Sequence, residues 1–237
     1  MKTFLSLVVF CVLFSGCDSP EEKPPVKAEP ENRRLFKLPE LKEKDSTSMD
    51  SKLDAEILKE IDWLVRAGFY DKSDLMRIIC EEIYAQEDID ESLVSKTIDS
   101  QLAAWEEQKK TWPAVTDCDR LDSVFDALNK RGINAQQNSG NTQSDGYENF
   151  RYDYEEHPAP ASIVGYCFYH NQDLERVVGG DGLYLAFGPV DPKEEEAKGM
   201  EVGNIIREEL QKAGLKVEWD GTFNERLIVR DFVWQRR

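Results

Sequence analysis

The spacing of apolar residues divides the body of the chain into two regions of different period. Leu53, Ile57, Ile61, Leu64 and Val65 recur along one helical face, and Gly68 suits the stop. Leu75, Ile78, Ile79 and Ile83 make a second apolar face, with Ser73 as its expected cap. Asp90 is placed to cap a third helix carrying Leu93, Ile98, Leu102 and Trp105, and Trp112-Pro113 ends the helical region. Beyond Thr116 the pattern changes. Asp117 to Arg131 reads as an amphipathic helix with Leu121, Val124, Phe125 and Leu128 inward and Gly132 at its end. Ile133 to Asn138 reads as a strand, residues 139–149 as a polar loop, and Phe150 to Tyr154 as a short strand. Ser162 to His170 (SIVGYCFYH) is apolar on both faces, which marks a central, covered strand. A short helix near Leu174 to Val178 and a strand from Leu183 to Phe187 follow. A helix from Gly199 to Ala213 and strands over Leu215 to Trp219 and Arg226 to Val229 complete the series. This order predicts an α+β fold. A three-helix region, residues 49–112, packs on or is linked to a sandwich, residues 116–237, with a mostly antiparallel sheet and helices on one face.

The start of the chain follows neither period. One basic residue, Lys2, precedes an apolar run from Phe4 to Phe14, too short for the roughly 20 residues a membrane-spanning helix needs. Ser15, Gly16 and Cys17 come next, and the L-F-S-G-C ending resembles the bacterial lipobox, with Phe14 where Leu is usual. The resemblance implies cleavage after residue 16 and a diacylglycerol on the Cys17 thiol, with the new amino group acylated in turn. Residues 17–48 hold five of the ten prolines and many charges, as an extended tether does. Within it, Arg33 to Leu38 form a basic and apolar island.

Charge narrows the partners. The chain carries −17, and loss of residues 1–16 removes Lys2 and no acid, which leaves −18. So acidic a surface repels nucleic acid and anionic lipid, and the acyl chains rather than a basic face must hold the protein to a membrane. The expected location is the bacterial cell envelope, facing the periplasm or the exterior, with a protein partner there and no nucleic acid. After Cys11 and Cys17 are set aside, Cys80, Cys118 and Cys167 remain, enough for at most one internal disulfide. With two histidines and no CxxC pair, no metal site and no cofactor are expected.

Few residues suggest chemistry. His170 ends the central strand, and Asn171, Gln172 and Asp173 follow. His170 with Asp173 suits a general base and its orienting acid, or two metal ligands; equally, Asp173 suits a helix cap and His170 a local hydrogen bond. Asn171 and Gln172 are the accompanying binding candidates. A side chain at the end of a rigid strand is held at little entropic cost, so His170 is expected to be partly exposed in a concavity. Asp119, in TDCDRLD with Cys118, is the other catalytic candidate, although acids in a first helical turn also suit the helix dipole. Gly179 to Gly182 lead into a strand, as a tight turn does and a phosphate loop does not. Glu87, Asp88, Asp90 and Glu91 lack the glycine and distal glutamate of a calcium loop.

Five segments together resemble a family of bacterial proteins of unknown function, domain-of-unknown-function family 6891. They are AGFYDKSDL (67–75), TWPAVTDCDRLDSVFDALNKRGI (111–133), GYCFYHNQDLER (165–176), GLYLAFG (182–188) and LQKAGLKVEWDGT (210–222). The resemblance spans nearly all of the chain after the tether and implies no activity. Where relatives carry a CCxxCG stretch, this chain has Asn141 to Gly146, so a thiolate site of relatives would be missing here. Without a catalytic signature, the expectation is a lipid-anchored, non-catalytic binding or regulatory module. The alternative is a hydrolase-like enzyme using His170 with nearby acids.

Overall fold

The computed structural model describes residues 55–84 and 89–237. The signal segment, Cys17, the tether, Leu53, Glu87 and Asp88 lie outside the described residues. No helix among those described is long and apolar enough to cross a membrane.

Among the described residues the chain forms seven α-helices and a five-stranded sheet, the expected α+β class. Helix α1 (Ala55–Ala67) buries Ile57, Ile61, Leu64 and Val65, and Gly68 ends it at φ +74°. Helix α2 (Lys72–Arg77) is capped by Asp71 rather than Ser73. Asp71 accepts from the Asp74 N–H, and Asp74 returns the bond to the Asp71 N–H, which satisfies two orphan donors at once. Residues Ile78–Ile83 continue it as a π-helix. Helix α3 (Glu91–Lys109) starts at Asp90, whose carboxylate accepts from the Leu93 N–H.

Helix α4 (Asp117–Lys130) leads through Gly132 into strand β1 (Ile133–Gln136). Helix α5 (Gln143–Glu156) follows, then β2 (Gly165–Phe168), α6 (Asn171–Val178), β3 (Leu183–Pro189), α7 (Glu195–Lys212), β4 (Lys216–Glu218) and β5 (Leu227–Arg230). The strand order is β1-β2-β3-β5-β4. Among these strands the β1–β2 pairing is parallel and the other three are antiparallel.

Strand alternation sorts side chains between two faces. Ile133, Cys167, Leu183, Leu185, Phe187, Leu227 and Val229 point to a first face and join one apolar core with α4, α7 and the N-terminal helices. Tyr166, Phe168, Tyr184, Ala186 and Ile228 point to the second face.

Helix α5 is the departure from the sequence reading, which gave a loop and a short strand there. It covers the β1–β2 side of the second face. Tyr147 and Phe150 meet Tyr166 with ring centroids 5.5 and 4.7 Å apart. Thr142 and Asp145 close a capping box at its start. Gly146 permits the approach, because a Cβ there would lie 2.3 Å from the Phe168 ring.

The outer edge of β1 is occupied by a side chain. Asn129 Oδ1 accepts from the Ala135 N–H at 2.9 Å, and Asn129 Nδ2 donates to the Ala135 carbonyl at 3.3 Å. One amide group therefore fills the place of a neighbouring strand.

Candidate functional site

Strand β2 delivers the chain to His170, and α6 begins at once. The Asp173 N–H and Leu174 N–H both bond the His170 carbonyl, so the turn closes tightly and carries the Asp173 carboxylate back under the imidazole. His170 Nε2 lies 2.9 Å from Asp173 Oδ2. The expected exposure is not found: His170 is 4% exposed and Asp173 0%. The expected pairing of the two residues is found, inside the protein.

Asp173 has two further partners. Arg176 Nη1, one helical turn on, donates to Oδ1 at 2.9 Å, and Arg226 Nη1, at the entrance to β5, donates to Oδ2 at 2.9 Å. A buried carboxylate requires such pairing. Both guanidiniums also lie over the Tyr184 ring, Arg226 at 5.0 Å from its centroid and Arg176 at 6.0 Å. Burial and the two guanidiniums outweigh the attraction of Asp173 and hold the His170 pKa below its ordinary value. His170 Nδ1 is buried without a hydrogen-bond partner.

Beside this node, the second face of the sheet opens where α5 ends its cover. A cavity of about 530 Å³ is floored by Tyr166, Tyr184, Ala186 and Ile228, with Gln143, Glu195, Phe223, Asn224, Glu225 and Arg226 also lining it. Its lining joins residues from β2, β3, β5, the starts of α5 and α7, and the turn before β5. Burial, with Tyr147 and Glu195 nearby, raises the Tyr166 phenol, which stays neutral. The cleft can hold a ligand body against its floor and meet polar groups at its rim. It presents no accessible imidazole.

The remaining candidates have structural places. Asp119 accepts from the Thr116 N–H at 2.7 Å and from Arg237 Nη1 at 2.8 Å. The Thr116 bond, with its hydroxyl and Arg237, holds the Asp119 carboxyl below its usual value. Its neighbours in TDCDRLD also receive the C-terminal segment. Asp117 accepts from the Val233 N–H, Cys118 Sγ from the Gln235 N–H and Asp122 from Arg236. The motif is thus a landing strip for residues 232–237. Burial pushes the Cys118 thiol up to about 12. Cys80, Cys118 and Cys167 are all free and buried. Asn171 Nδ2 donates to the Tyr70 hydroxyl at 3.2 Å, and neither Asn171 nor Gln172 lines the cleft. Among the described residues no group of His, Cys, Asp and Glu is arranged to hold a metal ion.

Sequence reasoning missed Tyr166, Tyr184, Arg176 and Arg226 as site residues. Arg176 had a local signal, since it lies at i+3 from Asp173 on α6. Arg226 is 53 residues from Asp173, and only the strand order brings them together.

The model of a family described as a domain of unknown function, DUF6891, matches residues 50–237. No curated protein and no solved structure matches the chain.

Proposed function

The chain belongs to DUF6891, and on that premise we propose that it is a lipid-anchored binding module whose ligand lies in the cleft on the second face of the sheet. The observation that carries the reading is the cleft itself. A volume of about 530 Å³, with tyrosine rings on its floor and a lining that exposes more polar than apolar surface, has the size of a site for a small polar ligand. The hydrolase alternative needs a base that touches substrate. His170 and Asp173 are buried and neither lines the cleft, so the one unpartnered ring nitrogen, Nδ1, is out of reach of a molecule bound there.

The anchor rests on the sequence of residues 1–17. Cys17→Ser is expected to release the protein from membranes or to leave it unprocessed; fractionation and migration identical to wild type would exclude lipidation. Binding is tested by filling the cleft. Ala186→Trp places an indole over the floor between Tyr184 and Tyr166. Small molecules that raise the melting temperature of the wild-type chain are expected to lose that effect on the variant. Ligands that stabilise both proteins equally would show that the site lies elsewhere.

A further inference from the structure

The node around Asp173 has more donors than its single acid can use. One carboxylate faces two guanidiniums and an imidazole. With the imidazole neutral the group keeps one uncompensated positive charge, in a chain whose total is −17. Each guanidinium has one N–H on Asp173, and the rest of its fork finds no acceptor among the described residues. Their side chains stay reachable, at 48% exposure for Arg176 and 27% for Arg226. Asp173 beneath and the Tyr184 ring beside them fix their positions, so a further acceptor would meet donors already in place.

The other end of the cleft has the opposite sign. Glu195, the first residue of α7, lies close enough to Tyr166 to help raise its phenol. Tyr166 pairs with Gly188 on β3, four residues along the strand from Tyr184. That separation is about 13 Å at the rise of an extended strand. Between the two ends the floor is Tyr166, Tyr184, Ala186 and Ile228. An acidic group toward one end, a guanidinium at the other and a mostly polar lining between them suit a short zwitterion with polar backbone groups, and a tripeptide, at roughly 10 Å, fits within that stretch of floor. A polyanion fits the arginine end but meets Glu195 and Glu225 along the same walls.

We propose that the cleft receives a short peptide with free ends, its terminal carboxylate on Arg226 and its ammonium group toward Glu195, with Arg176 outside the cleft lining adding positive charge beside Arg226. The proposal rests on the reading of the cleft as the binding site and adds the ligand's chemical class and polarity.

The test titrates the full chain with the tripeptide Ala-Ala-Phe, its C-terminal amide, its N-acetyl form and inorganic phosphate, followed by calorimetry. The free tripeptide is expected to bind. Amidation removes the carboxylate and is expected to weaken binding at least about tenfold, the weight of a charge-assisted hydrogen bond. Acetylation is expected to weaken it by a smaller factor. Arg226→Gln should weaken the free tripeptide about tenfold and leave the amide unchanged, because both changes remove the same contact. That non-additivity would not arise from a general loosening of the fold, and the peptide series needs no variant at all. If the amide binds as tightly as the free tripeptide while Ala186→Trp abolishes both, the carboxylate receptor is wrong and the cleft reading stands. If Ala186→Trp leaves peptide binding intact, the cleft reading itself falls. Phosphate binding more tightly than the tripeptide, or no tripeptide binding at millimolar concentration, overturns the assignment of a peptide.

Discussion

A buried imidazole beside two guanidiniums takes up its proton only at a pH below the ordinary value for histidine, as His170 does. In the unfolded chain it titrates near pH 6.5. Between that value and its lower folded value the unfolded state holds more protons, so stability falls as pH falls through the window and is fully present above it. Urea midpoints measured at pH 7.5, 6.5 and 5.5 should decline for the wild type. The decline should be shallower for His170→Asn, which cannot titrate, and equal slopes for the two proteins would remove the argument. The only other histidine, His157, lies at the surface end of α5 and accepts from the Ala159 N–H. The pairing of His170 with Asp173 was legible from their spacing. Their burial was not, because it depends on what the rest of the chain places over them.

Helix α5 shows the same division between local and distant information. Its sequence, QSDGYENFRYDYEE, has an internal glycine and four aromatic rings, which weigh against a helix by propensity and toward a strand. Two local signals pointed the other way. Thr142 and Asp145 have capping-box spacing, and Tyr147, Phe150 and Tyr154 recur at i, i+3 and i+7. The other long elements were readable, because each carries an apolar face of the right period and a clear stop. The function of Gly146 became visible only against Phe168. Gly146→Val should drive a methyl group into that ring and destabilise the fold by about 1–3 kcal/mol, the usual range for overpacking. Chemical denaturation measures it. A variant as stable as wild type would mean that α5 does not rest on the sheet as described.

The N-terminal helices and the sheet share one apolar core, and the C-terminal residues fasten them together. Trp234 is the centre of that clasp. Its indole N–H donates to the Ala67 carbonyl at the end of α1, and its ring meets Phe69, Tyr169 and Phe232. Trp234→Ala should cost about 3–5 kcal/mol, as large-to-small changes in cores do. The loss should appear as one transition at lower temperature when the body is followed both by far-ultraviolet circular dichroism and by tryptophan fluorescence. Two separate transitions would show that the helical region and the sheet fold as independent units. The sequence separated these regions by period but held no sign of the clasp, since its hydrogen bonds to Ala67 and Cys118 join residues more than a hundred positions apart. Elsewhere in the molecule, the amide of Asn129 on the border of β1 has a consequence for how copies of the chain behave when crowded. An unguarded border strand invites another chain to add on, and repetition of that step builds insoluble fibres. The Asn129 side chain answers both outward groups of Ala135 from within the same molecule, so an incoming backbone would first have to displace it. Self-association by strand addition is thereby discouraged at this border.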